Sequence, residues 1–121
     1  MSSDRAPLLR ERLASGSPEW NAVQDFSGWL AQRFGSRLKE LRLFGSRARG
    51  EADEDSDLDL LVVIDSLSGA ERREIAQQSG DAISDWGVPL SPFPMSTEHF
   101  AELRARERLI VSEIERDGIP L

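Results

Sequence analysis

Near the middle of the chain an apolar run is bracketed by acids, Asp57-Leu58-Asp59-Leu60-Leu61-Val62-Val63-Ile64-Asp65. The run is rich in β-branched residues and long enough for a buried strand. Alternate residues of a strand face the same side, so Asp57 and Asp59 share one face with their Cα atoms roughly 6–7 Å apart. Leu58 and Leu60 then point the other way, into the core. Two like charges entering a buried strand are unfavourable unless a cation compensates them. Such a pair can converge on one Mg2+ or on two ions about 3.5–4 Å apart. Magnesium is typically held by one or two carboxylates together with substrate phosphates and water. The blander interpretation makes all six acids from Glu51 to Asp59 one solvated loop. It is adopted for Glu51, Asp53, Glu54 and Asp55, an exposed turn, and not for the pair that abuts the apolar run.

The surrounding elements are legible from their periods. Ser17-Pro18-Glu19 places a capping serine ahead of a proline at the first helical position. Trp20, Val23, Phe26, Leu30 and Phe34 follow at spacings of three and four, one face of a helix that Gly35 closes. Residues 39–44 alternate as a strand ending at Gly45. Ser68-Gly69-Ala70-Glu71 has the capping-box pattern and opens a helix with Ile75, Ala82, Ile83 and Trp86 on one face, closed by Gly87. Residues 88–95 look extended, but Pro89, Pro92 and Pro94 each remove a backbone donor, which limits the segment to a sheet edge. Ser96 or Thr97 caps a final helical region carrying Phe100, Leu103, Leu109, Ile110 and Ile114 and ending near Gly118. Residues 1–16 form either a loose tail or one short helix through Leu8, Leu9 and Leu13, and residues 17–121 form the domain proper. The order helix, strand, strand, helix, edge strand, helix indicates a small α/β domain with helices packed on the sheet.

A chain of 121 residues accommodates one domain, and one of this size buries about two-thirds of the surface its unfolded chain exposes. There is no cysteine and His99 is the sole histidine, which excludes disulfide frameworks, thiolate metal sites and multi-histidine zinc sites. His99, near a helix start, reads as a cap or surface residue rather than a base. Trp20, Trp29 and Trp86 read as core or interface residues. No stretch approaches the roughly 18 apolar residues of a membrane span, and the N-terminus lacks the apolar segment of a secretory signal. A cytoplasmic location is the expectation. Fifteen Lys and Arg against 22 Asp and Glu give a net charge of −7. Direct nucleic-acid binding, which depends on cationic contacts, is therefore not expected. A basic protein partner, or a nucleotide whose phosphates a metal neutralises, suits this chain better.

Gly45-Ser46 leaves the first strand for a short helix. A Gly-Ser pair there allows close backbone approach and turns amides toward an anion, and the serine hydroxyl can add a bond to a phosphate oxygen. Taken alone, the pair is more simply a tight strand-to-helix turn. In combination it says more. Gly45-Ser46, ten intervening residues and then Asp57-Leu58-Asp59, with a strand before the glycine and another carrying the acids, resembles the DNA polymerase beta-like nucleotidyltransferase superfamily. Residues 45–65, GSRARGEADEDSDLDLLVVID, look most like the minimal nucleotidyltransferases that act as antitoxins to HEPN-domain toxins. A weaker likeness continues in the C-terminal phrase IERDGIPL.

That resemblance implies a small nucleotidyltransferase fold, a short mixed β-sheet with helices packed on it. It also implies that Gly45 and Ser46 hold a nucleoside triphosphate and that Asp57 and Asp59 are the catalytic carboxylates, binding Mg2+. Arg47 and Arg49 lie where they can reach phosphates, or else make surface ion pairs. The implied reaction is transfer of AMP from ATP to a hydroxyl, a tyrosine, of a HEPN-type toxin. The superfamily usually carries a third carboxylate on the next strand, where this chain places Ser91. Serine is a poor Mg2+ ligand and a poor base at neutral pH. Asp65, Asp81 and Asp85 are possible substitutes, though none belongs to that strand. Two readings follow, an active transferase and an impaired one that neutralises its partner by binding alone. A transferase for a small hydroxylated molecule is disfavoured, because such enzymes usually need a further acceptor-binding domain.

Overall fold

In a computed structural model the chain is described over residues 9–50, 57–106 and 109–121, with the side chains at 109 and 110 excepted. The acidic turn expected at Glu51 to Asp55 and the Leu8 end of the N-terminal segment lie outside the described residues. Five α-helices and four strands follow one another along the described chain: α1 Pro18–Phe34, β1 Leu38–Phe44, α2 Ser46–Arg49, β2 Leu58–Ile64, α3 Gly69–Trp86, β3 Leu90–Ser96, α4 Thr97–Ala105, α5 Leu109–Asp117 and β4 Ile119–Pro120.

The helix boundaries follow from capping chemistry. Ser17 Oγ accepts from the Trp20 amide and Pro18 opens α1, while Gly35 closes it. Ser68 and Glu71 exchange the two bonds of a capping box at the start of α3, and Gly87 ends that helix in the left-handed region at φ 68°. Ser96 Oγ accepts from the His99 amide at the start of α4. His99 itself is exposed. The final helical region is two helices rather than one.

The strands form a single mixed sheet in the order β3-β2-β1-β4. β1 pairs antiparallel with β2 and β4, whereas β2 pairs parallel with β3 through the α3 crossover. β3 is an edge strand for the reason its prolines suggest. Pro89 O accepts from the Leu58 amide, so strand alternation directs the backbone groups of Ser91 and Phe93 to β2 as well. The missing donors of Pro92 and Pro94 fall on the outer side, where Arg72 Nη1 donates to Pro94 O at 2.7 Å.

β2 is buried on both faces, which makes it the centre of a three-layer molecule. Leu58, Leu60, Val62 and Ile64 meet Val23, Phe26 and Leu30 of α1 and Ile75 and Ala82 of α3. Leu61 and Val63 meet Phe44, Phe100 of α4, and Val111 and Ile114 of α5. Each such aliphatic or aromatic burial is worth about 1.5–3 kcal/mol. Asp59 falls on the second face by alternation, opposite to Leu58 and Leu60.

One expectation needs correction. On α3 the inward stripe is Ile75, Ser79 and Ala82. Ile83 is 54% exposed and Trp86 37% exposed, because residue 83 lies about 100° round the helix from 82. Trp86 donates Nε1 to Asp25 Oδ2 of α1. In the N-terminal segment, Leu9–Glu11 form a 3-10 turn and Leu13 is buried in the α1–α3 layer.

Candidate active site

The antiparallel register of β1 and β2 sets Phe44 opposite Asp59, so the chain leaves β1 at Gly45 beside that carboxylate. Gly45 adopts φ 78° and ψ −162°, a backbone region that L side chains rarely enter. A β-carbon at this position would collide with Asp59 Oδ2. The glycine is therefore required both by conformation and by proximity.

Ser46 begins α2, a single turn in which Gly45 O accepts from the amides of Ala48 and Arg49 at 3.1 and 3.2 Å. Ala48 is buried against the core, and Gly50 closes the turn at φ 73°. Arg12, from the N-terminal segment, donates Nε to Ala48 O at 2.6 Å. Its guanidinium also packs over Gly50. The Gly45–Gly50 turn is thus held from below by Ala48 and from its end by Arg12.

Asp57 is exposed just before β2, and Asp59 is half-buried within it. Burial raises the Asp59 pKa above the ordinary carboxylate value, the charge of Asp57 raises it further, and Arg49 partly offsets both. The Arg49 charge also acts on Asp117 at the end of α5, which places this arginine electrostatically between two carboxylates. Arg47 and Arg49 are both partly buried. The two aspartates are hard oxygen donors in mutual repulsion, one of them short of solvent, and that donor set fits Mg2+.

Across the parallel pairing of β2 and β3, the Cα partner of Asp59 is Ser91. The substitutes considered for a third carboxylate lie elsewhere. Asp65 follows the far end of β2, where its carboxylate accepts from Thr97 Oγ1. Asp81 and Asp85 are exposed on α3, in the layer on the other side of the sheet. Among the described residues, no group of three His, Cys, Asp or Glu converges as a metal site. An open groove of about 760 Å3 between α1 and α3, lined by Gln24, Asp25, Trp29 and Asp85, is also in that other layer and away from Asp59.

The sequence profile of the nucleotidyltransferase domain matches residues 24–116. The chain belongs to that family. Among similar proteins, the protein adenylyltransferase MntA of Thermococcus cleftensis is 53% identical over 38 residues, covering 31% of this chain and 36% of that protein. The chain spans less than half the length of the curated relatives it matches. A solved structure described as a minimal nucleotidyltransferase aligns over 90% of this chain and all of its own, at 30% identity and a TM-score of 0.54. A toxin–antitoxin crystal structure with AMP-PNP aligns over 83% of this chain and 69% of its own at 21% identity and a TM-score of 0.52, a likeness of fold. The mixed sheet with helices on both faces is the minimal nucleotidyltransferase fold. Among the described residues of this nucleotidyltransferase domain, no helix is long and apolar enough to cross a membrane.

Sequence reasoning did not single out Arg12 or Asp117. Nothing local marks Arg12, which meets Ala48 across 36 residues. Asp117 does carry a signal, because it lies inside the C-terminal phrase IERDGIPL that resembles the family.

Proposed function

We propose that this chain is a Mg2+-dependent nucleotidyltransferase that transfers AMP from ATP to a tyrosine hydroxyl of a HEPN-type toxin, acting as its antitoxin in the cytoplasm. Residues 17–121 form the nucleotidyltransferase unit. The observation that carries this reading is that the Asp59 carboxylate fills the space a β-carbon at Gly45 would need, which sets the Gly45–Ser46 turn beside the carboxylate pair. The MntA relative and the toxin–antitoxin structural neighbour support the choice of reaction and partner.

In this reading Gly45 lets the triphosphate approach the backbone and Ser46 supplies a hydroxyl to a phosphate oxygen. Arg47 and Arg49 add positive charge beside the phosphates. Asp57 and Asp59 hold Mg2+, which when bound neutralises the phosphates and polarises the α-phosphorus. The acceptor oxygen bonds to that phosphorus, the bond to the bridging oxygen breaks, pyrophosphate leaves, and the hydroxyl proton passes to water. The test is to incubate the protein with labelled ATP, Mg2+ and the product of the neighbouring gene. Label on the neighbour's tyrosine supports the reading, and a complex without label removes the transfer step.

Ser91 opposite Asp59 favours a second reading, an impaired nucleotidyltransferase fold that neutralises its partner by occlusion. The two separate by stoichiometry. A catalyst protects against excess toxin and loses protection in Asp57→Asn, whereas an occluding antitoxin protects one for one and tolerates that change.

A further inference from the structure

Phe93 is a large aromatic residue left 38% exposed on the edge strand, and its neighbourhood ties it to the site. Phe44 on β1 and Phe93 on β3 are separated by β2, so their strands lie about 10 Å apart at the usual spacing. Their ring centroids are nevertheless only 5.2 Å apart, with the planes inclined at 62°. Both rings must lean over β2. On that face β2 presents Asp59, the partner of Phe44, and Leu61, the partner of Phe93. The two rings meet as an aromatic wall on the face of β2 that carries Asp59, with Phe44 buried and part of Phe93 open to solvent. Pro92 and Pro94 flank Phe93 and stiffen its backbone.

We infer that Phe93 is a specificity-determining residue that receives the aromatic ring of the acceptor. The inference rests on the proposed transferase reading. In a displacement at phosphorus the attacking and leaving oxygens lie roughly in line. If the Gly45–Ser46 turn holds the leaving pyrophosphate on the β1 side of Asp59, the hydroxyl enters from the β3 side. On that side the strand presents Ser91 and then Phe93 on the same face. Ser91 is small enough to admit a hydroxyl, and the exposed part of Phe93 offers an apolar surface to the ring that bears it. A phenolic acceptor gains this contact, and an aliphatic hydroxyl does not.

The test uses the full chain with Mg2+ and α,β-methylene-ATP, and the probes are N-acetyltyrosinamide and N-acetylserinamide. Binding is followed by NMR titration and by intermolecular NOEs to the Phe93 ring. The expected result is a tyrosinamide contact at Phe93, weakened about two- to tenfold in Phe93→Ala and restored in Phe93→Trp, with serinamide indifferent to both. Phe93→Leu, melting as wild type does, repeats the comparison if the alanine variant folds poorly. Tyrosinamide contacts that lie elsewhere, or that survive Phe93→Ala unchanged, overturn the inference while nucleotide binding leaves the parent reading intact. Weaker binding of the ATP analogue in Phe93→Ala, with inorganic tripolyphosphate unaffected, assigns the ring to the nucleobase and equally overturns it. Failure of the wild type to bind the analogue with Mg2+ removes the parent reading, and the inference with it.

Discussion

The Asp59 carboxylate occupies the space beside Gly45 that a β-carbon at that position would need, and Gly45 holds a positive φ of 78°. Gly45→Ala therefore meets both a strained backbone and a carboxylate that must move. The expected cost is about 1–3 kcal/mol of stability, read as a lower melting temperature, together with loss of nucleotide affinity. Wild-type stability and affinity in this variant would contradict the geometry described.

Asp59 predicts an unusual pH dependence. Its pKa in the folded chain is raised by burial and by Asp57, so the native state keeps its proton to higher pH than the unfolded chain does. Stability falls as pH rises from the unfolded value of 3.8 through the raised folded value, and the penalty persists at neutral pH. Asp59→Asn should thus raise the melting temperature of the metal-free protein at pH 7. The gain is small, because solvent screens the charges of a half-exposed group. Millimolar Mg2+ should stabilise the wild type and not the variant. A variant that melts lower than wild type without metal would show that the pair is not repulsive.

Arg12 predicts a distant effect on the Gly45–Gly50 turn. Removing its side chain leaves Ala48 O without its 2.6 Å donor, which costs about 1–2 kcal/mol for a partly buried carbonyl. Arg12→Ala should lower both the melting temperature and nucleotide affinity, and Arg12→Lys should recover part of each. An affinity that stays at wild-type level as stability drops would confine Arg12 to a structural role.

How much of this was legible in the sequence depended on how local each cause was. Ser17, Ser68, Gly35 and Gly87 announced helix ends because a cap acts within three or four residues. Strand alternation was enough to put Leu58 and Leu60 on the face away from Asp59. Pro92 and Pro94 sufficed to place β3 at an edge. What escaped was set by pairing between distant segments. Arg12 reaches Ala48, and Arg49 acts on both Asp59 and Asp117, only because the sheet brings three separate parts of the chain together. The Phe44–Phe93 wall likewise depends on the registers of two different strand pairs. Ile83 misled for the opposite reason: it is apolar, yet sits a residue off the inward stripe.

Ser91 offers a gain-of-function test. Ser91→Asp introduces a carboxylate on the strand position paired with Asp59. It should tighten Mg2+ binding and raise any transfer rate, a tenfold change corresponding to about 1.4 kcal/mol of barrier. In the absence of metal it should lower the melting temperature, because it adds a third negative charge to a repulsive pair. Unchanged metal affinity, rate and stability would show that position 91 does not face the site.

In the proposed function the Gly45–Ser46 turn and the Asp57/Asp59 pair act together on a metal-bound nucleotide. Titration calorimetry of ATP, with and without Mg2+, into the wild type and into Asp57→Asn/Asp59→Asn tests it most directly. Binding by the wild type should require Mg2+ and be lost in the double variant, with a matching ligand-induced rise of about 2.7 kcal/mol at 100 times Kd in the wild type alone. Equal affinity in the two proteins, indifferent to Mg2+, would contradict it.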